Sequence, residues 1–172
     1  LSAARPTANF TQVTETWGLP ASPEQLAMAY CRYRMAGDLA EGKEVLEIGC
    51  GSGMGLSYLA RRAKKVVGGD TTIELVEEAR QHLPGVDLLQ MTAEELPFRD
   101  ASFDVVLMLE MIYYVPNLDR AIGEARRVLR PAGRLFICLP NRDRPDFNPS
   151  PYSVWYPSAA ELRDLLQRHG FQ

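Results

Sequence analysis

Histidine and cysteine are scarce, and each shortage narrows the chemistry. Cys31, Cys50 and Cys138 are the only cysteines, and His82 and His169 the only histidines, among 172 residues. Three scattered thiols make no disulfide framework and share no metal-ligand spacing, so a reducing, cytoplasmic setting without a metal centre is expected. A basic excess is also missing. The net charge is −3, whereas nucleic-acid binders usually show a basic domain or stripe. No apolar run approaches the roughly 20 residues of a membrane span. The opening "LSAARPTANF" lacks the apolar stretch of a signal peptide.

The composition is that of an ordinary globular protein, with 46% hydrophobic and 24% charged residues. At this length one domain is expected, in three parts: a helical N-terminal extension over 1–42, a core over 43–139, and a loop and last helix over 140–172. The chain begins without Met and stops at "HGFQ", where another apolar strand is expected to start. The reading is therefore of a piece of a longer protein.

Local signals alternate between strand and helix. Ser22, Pro23 and Gln25 form a capping-box start. Leu26, Ala29, Tyr30 and Tyr33 then recur at helical spacing, and Gly37 is the expected stop. Strands are expected over 44–48, 65–69, 86–91, 103–109 and 133–139. Helices are expected over 54–62, over 71–82 with Thr71 and Glu74 as a second capping box, over 118–129, and over 158–169. The stretch "FDVVLML" is apolar on both faces, as a central parallel strand should be. Such alternation predicts an α/β fold, a Rossmann-like, mostly parallel sheet with helices on both faces.

The densest signal is "VLEIGCGSGMG", Val45 to Gly55, where glycines 49, 51, 53 and 55 follow a strand. Missing Cβ atoms let a ligand lie on the backbone, and open α/β sheets bind ligands beyond the strand ends. The dinucleotide pattern G-x-G-x-x-G fails, because Met54 or Leu56 occupies its last place, and no P-loop lysine is present. Glu47 opposes an anion and suits a cation. Asp70 ends the next strand, about twenty residues past Gly49, where a carboxylate can accept both ribose hydroxyls. An adenosine with a cationic tail fits both acids. A nicotinamide-dependent oxidoreductase is disfavoured by the failed glycine pattern.

These segments resemble the class I S-adenosylmethionine-dependent methyltransferases, in the broad type 11 group. "VLEIGCGSG", "VVGGD", "TAEELPFRDASFDVV" and "RRVLRPAGRLFI" are similar to that family's successive motifs, in order, over roughly Lys43 to Leu139. The resemblance implies S-adenosyl-L-methionine as cofactor and a probable small-molecule acceptor of the methyl group. It implies that Glu47 and the backbone of Gly49, Cys50, Gly51, Ser52 and Gly53 hold the methionine part. Asp70 would take the ribose, with Thr71 beside the adenine. Thr92, Ala93 and Glu94 would line the adenine edge, while Leu109 and Glu110 would floor the site near the sulfonium.

Two departures from the family pattern bear on function. Thr92 stands where an Asp is frequent. Tyr113 and Tyr114 stand where many members have a histidine, which excludes a histidine base there. Glu110, Tyr113 and Tyr114 are the candidate proton acceptors, although the tyrosines read more readily as packing or lid residues and Glu110 as a balance to the cofactor's positive charge. Cys50 reads as a small residue beneath the cofactor. The run "RRAKK" reads as a solvated helix end. Tyr152, Trp155 and Tyr156, with Tyr30 and Tyr33, read equally as caps of an acceptor pocket or as surface packing for a lid. Arg142 and Arg144 could meet an anionic acceptor but, beside Asp143 and Asp146, read more safely as exposed loop residues. The family sheet has seven strands, so a five-stranded sheet with strand five as an open edge is expected here. The alternative reading is a non-catalytic fold relative that acts as a binding or regulatory subunit.

Overall fold

The structure is a computed structural model, which describes Phe10, Thr11, Trp17 and residues 20–172. The strands are β1 (Glu44–Ile48), β2 (Lys65–Asp70), β3 (Asp87–Gln90), β4 (Phe103–Leu109) and β5 (Leu129–Cys138). The helices are α1 (Pro23–Ala40), α2 (Leu56–Ala60), α3 (Ile73–His82), α4 (Leu118–Val128) and α5 (Ala159–Arg168). All strand pairs are parallel, in the order β3-β2-β1-β4-β5. Parallel neighbours need long crossovers, and the helices supply them. None of the described helices is long and apolar enough to cross a membrane.

This order positions the site. The chain leaves β1 outward through β2 and β3, then returns to the other side of β1 as β4. The carboxyl ends of β1 and β4 therefore flank the switch point where a crevice opens. The glycine run follows β1, and Glu110 follows β4. Both strands are buried almost throughout, as their apolar sequences require. One face packs on α4, whose Leu118, Ala121, Ile122, Ala125 and Val128 form a single buried stripe. The other face packs around Leu56, Leu59, Val76 and Ala79.

Both outer capping boxes form: Ser22 with Gln25, and Ser158 with Glu161. Several boundaries move. Gly37 does not stop α1, which runs to Ala40. Instead Gly37 is a close-packing point, where a Cβ would lie 2.5 Å from the Tyr58 ring. The helical spacing on α1 holds, although Leu26 and Tyr30 remain 54% and 64% exposed. Helix α2 begins at Leu56 rather than 54, since the glycine turn continues to Gly55. The second capping box is absent: Thr72, not Thr71, precedes α3, and its side chain makes no cap bond. Strand β5 starts at Leu129, which already pairs Phe103; Arg130 to Gly133 bulge before pairing resumes at Arg134. Among the described residues β5 pairs only with β4 and forms the sheet edge.

The run "RRAKK" is surface ion pairing. Arg62 meets Asp38 and Glu41, Lys64 meets Glu44, Lys65 meets Asp87, and Arg61 lies over the Tyr58 ring.

Candidate active site

The glycine turn is built from backbone. Gly49 and Cys50 both donate to the Gly69 carbonyl, at 2.7 and 3.1 Å. Gly49, Gly51 and Gly53 alternate at positive φ of 73°, 56° and 78°, a region that residues with a Cβ enter only at a cost. Asp70 locks this turn. One carboxylate oxygen accepts from Gly51 N at 3.0 Å and the other from Thr72 N at 2.9 Å. Burial raises its pKa, and those backbone donors oppose the rise.

Glu47 lies behind the turn and is 1% exposed. Its Oε1 accepts from the Tyr33 hydroxyl at 2.6 Å, and its Oε2 is buried with no hydrogen-bond partner. Burial pushes its pKa up to about 7, against the Tyr33 bond and the nearby Arg32 charge, while Asp70 adds to the rise. An unfolded glutamate titrates near 4.3. The folded state therefore holds Glu47's proton longer, and this group makes stability fall as pH climbs from about 4.5 to 7. A buried carboxylate oxygen without a donor asks for a cation.

Tyr33 seats α1 on the turn. At Gly55 an added Cβ would lie 1.8 Å from the Tyr33 ring, so only glycine fits beneath it. Gly55→Ala is expected to lift Tyr33 off Glu47 and to cost about 1–3 kcal/mol by overpacking. Urea unfolding checks this, and an unchanged midpoint would contradict the seating of α1.

The switch-point crevice is a cleft of about 1100 Å³. That exceeds the roughly 300–1,000 Å³ of ordinary ligand pockets and leaves room for a donor and an acceptor together. Ten of the expected site residues line it: Gly49, Cys50 and Gly51 at the turn; Asp70 and Thr71 beyond β2; Thr92, Ala93 and Glu94 beyond β3; and Leu109 and Glu110 at the end of β4. Glu47, Ser52 and Gly53 are buried behind this wall. Cys50 is no nucleophile, because burial first, and then the charges of Glu47 and Asp70, hold its thiol well above its usual range.

Glu110 stands at φ +55°, an unusual conformation for a residue with a side chain and one that gathers at functional sites. Its Oε2 accepts from the Tyr113 hydroxyl at 3.2 Å, and its Oε1 from the Cys138 thiol at 3.7 Å. Arg32 Nη1 lies 3.9 Å from Oε1. Tyr113 is mostly buried and stacks on Tyr156 at 4.4 Å. Its carbonyl accepts from Val154 N at 2.8 Å, which docks the 150s loop over the site. Burial, and then Glu110, hold the Tyr113 phenol well above its ordinary pKa, which makes it a donor rather than a base. Tyr114 donates to Ser150 and packs on Phe10.

Part of the cleft wall is aromatic. Phe10, Tyr113, Tyr114, Phe147 and Tyr152 line it, as does Tyr33 nearer the turn. Tyr30 and Trp155 are exposed away from it, and Tyr156 is buried beneath. Arg142 is consumed by Glu161 at 3.0 Å and the Tyr156 carbonyl at 2.7 Å. Arg144 reaches the cleft but is paired with Asp146 at 2.7 Å. These ion pairs favour the reading of Arg142 and Arg144 as loop residues over that of an anion site. The cleft wall carries four carboxylates, Asp70, Glu94, Glu110 and Asp146, against the two guanidiniums of Arg32 and Arg144.

Two contributors escaped the sequence reading. Trp17 donates its indole N–H to the Ser52 carbonyl at 2.9 Å and stacks on His82. Arg127 gathers the carbonyls of Leu96 and Phe98 with Glu124 and Asp100, fixing the loop that follows Thr92–Glu94. Both act across long sequence separations and leave no local pattern.

Comparison with known proteins bears on this geometry. Residues 46–137 match the family described as a methyltransferase domain. A Mycolicibacterium smegmatis protein named "Probable S-adenosylmethionine-dependent methyltransferase" is 35% identical over 146 residues, covering 81% of this chain and 56% of its own length. The phthiotriol/phenolphthiotriol dimycocerosates methyltransferase 1 of Mycobacterium ulcerans is 46% identical over 135 residues, covering 74% of this chain and 47% of its own length. The chain thus spans about half the length of these relatives. Among solved structures, a SAM-dependent methyltransferase from Thermotoga maritima superposes with a TM-score of 0.70 at 28% identity, over 84% of this chain and 71% of that one.

Proposed function

The chain belongs to the methyltransferase-domain family, and from that premise we propose that it carries methyl groups from S-adenosylmethionine to a hydroxyl on an uncharged, largely apolar small molecule. The observation that carries the cofactor reading is the unpartnered, buried Oε2 of Glu47. A cofactor ammonium would supply the missing donor and charge to this acid, which lies behind the cleft wall of Gly49, Cys50 and Gly51. Asp70, already fixed by Gly51 and Thr72, keeps lone pairs for ribose hydroxyls. Thr71 and Thr92–Glu94 are the walls left for the adenine.

When bound, the cofactor supplies an electrophilic methyl group on sulfur. The protein's part is alignment, exclusion of water and proton removal. A hydroxyl must lose its proton as its oxygen gains the methyl group, and the methyl–sulfur bonding pair stays on sulfur. Glu110 lies on the cleft wall as the carboxylate to take that proton. A carboxylate acceptor would need no base and would face the acid-rich wall described above. The aromatic lining suits an apolar body, consistent with the lipid-type name of the Mycobacterium ulcerans relative.

Calorimetric titration with S-adenosylhomocysteine tests the cofactor half, and micromolar binding is expected. Only ionised Glu47 suits the ammonium, and it titrates at about 7 in the free protein. Affinity should therefore rise roughly tenfold from about pH 6 to pH 8, following the ionised fraction. In Glu47→Gln that rise should vanish. A pH slope unchanged by the substitution would remove Glu47 from the ammonium site.

A further inference from the structure

Arg32 and Tyr33 are adjacent on α1, and they reach different acids. Tyr33 donates to Glu47 on the cofactor side, while the Arg32 guanidinium lies against Glu110 on the acceptor side. Neighbouring side chains diverge around a helix, so the pair straddles the cleft rather than serving one spot. Hydrophobic anchoring of α1 is confined to its C-terminal half, at Ala36, Gly37 and Ala40, whereas Leu26, Met28 and Tyr30 are exposed. The middle of α1 is held by the Tyr33 ring packed on Gly55 and by two polar contacts, which end on Glu47 and Glu110.

We propose that Arg32 is a positioning residue for the proton acceptor: α1, latched through Tyr33 onto Glu47, delivers the guanidinium that holds Glu110 ionised and turned to the acceptor. This rests on the reading of Glu110 as the base. Among the described residues, the groups facing Glu110 are Arg32 from α1, Tyr113 from the short 3-10 turn Ile112–Tyr114, Cys138 from β5, and Tyr156 from the 150s loop. Three of them are neutral near pH 7. Burial raises Tyr113 and Tyr156, and burial with the Glu110 charge pushes Cys138 up to about 11. Arg32 is thus the charged member of the set. It also lies close enough to Glu47 to favour that ion. One helix thereby ties the state of the cofactor acid to that of the acceptor-side acid.

The test follows two quantities that need no acceptor. The Glu110 carboxyl is titrated by NMR in glutamate-labelled protein, its resonance assigned by loss in Glu110→Gln. Cofactor-side affinity is read by calorimetry with S-adenosylhomocysteine. Arg32→Gln should move the Glu110 titration up by about one pH unit and change Kd less than about threefold. Arg32→Lys, which keeps the charge, should restore most of the shift. Tyr33→Phe should weaken binding roughly tenfold and also move the Glu110 titration upward, a remote effect that a purely local cofactor contact would not produce. Should Arg32→Gln fail to fold, Tyr33→Phe carries the test, since it leaves Arg32 in the chain but frees the latch.

A Glu110 titration unmoved in the folded variants overturns the proposal, as does a tenfold loss of affinity in Arg32→Gln with that titration unchanged. The underlying reading fails separately: Glu110→Gln would then keep its rate on a long-chain secondary alcohol, the acceptor probe used.

Discussion

Glu110→Gln should lower kcat for methyl transfer by roughly 10²–10⁴-fold, the usual contribution of a positioned general base. Gln keeps one oxygen for the Tyr113 hydroxyl and turns its N–H₂ toward the Cys138 sulfur, so the shape is preserved while the basicity is lost. Cofactor binding should change little, because Glu110 follows β4 whereas Glu47, the proposed ammonium partner, lies within β1. The outcome separates two roles for this carboxylate. If it only balanced the sulfonium charge, affinity for S-adenosylmethionine would fall while affinity for the uncharged-sulfur product stayed the same. If it removes the acceptor proton, both affinities stay and kcat falls. Initial rates with a long-chain secondary alcohol, together with the two titrations, make the distinction.

Asp70→Ala should have the larger effect on binding. It removes the proposed ribose contacts and also the acceptor for two backbone donors, Gly51 N and Thr72 N. Leaving such donors unpaired costs about 1–3 kcal/mol each. A loss of cofactor affinity of about 100-fold or more is expected, along with a lower unfolding midpoint. Asp70→Asn refines this result. Its amide keeps one acceptor oxygen but turns an N–H₂ toward a backbone N–H, so affinity should still fall while most stability returns. Calorimetry and thermal unfolding of the two variants read these terms separately. Full affinity in Asp70→Ala would show that the turn is held without this carboxylate and that the ribose lies elsewhere.

Much of this was legible before the fold was known, for physical reasons. The β1 turn is read from alternate glycines because left-handed backbone and close approach leave a compositional mark. The parallel sheet is read from apolar runs such as "FDVVLML", because a strand buried on both faces has no polar side to show. The capping boxes at Ser22 and Ser158 are local and therefore visible. Where a glycine serves tertiary packing, the same logic misleads: Gly37 resembles a helix stop but makes room for Tyr58. The spacing of Leu26, Ala29, Tyr30 and Tyr33 marks the helix but not which face it buries, and Leu26 and Tyr30 turn outward. The link from Tyr33 to Glu47, Arg127's hold on the loop after Thr92, and Trp17's bond to Ser52 are side-chain meetings between distant segments. No period or motif encodes them.

The candidate proton acceptors also separate only in three dimensions. Sequence places Glu110, Tyr113 and Tyr114 within one turn of chain and cannot rank them. The structure gives Tyr113 to Glu110 as a donor and Tyr114 to Ser150, leaving the Glu110 carboxylate as the basic group of the three. The strained backbone at Glu110 adds a second sign of function.

The most direct measurement of the central claim is mass spectrometry of products formed from S-adenosylmethionine carrying a deuterated methyl group. Long-chain alcohols and the matching carboxylic acids are offered together. The account predicts label on the alcohol oxygen, as a methyl ether, with the acids unmodified and the transfer lost in Glu110→Gln. Label found on the acids, or label on the alcohols that persists in Glu110→Gln, would contradict it.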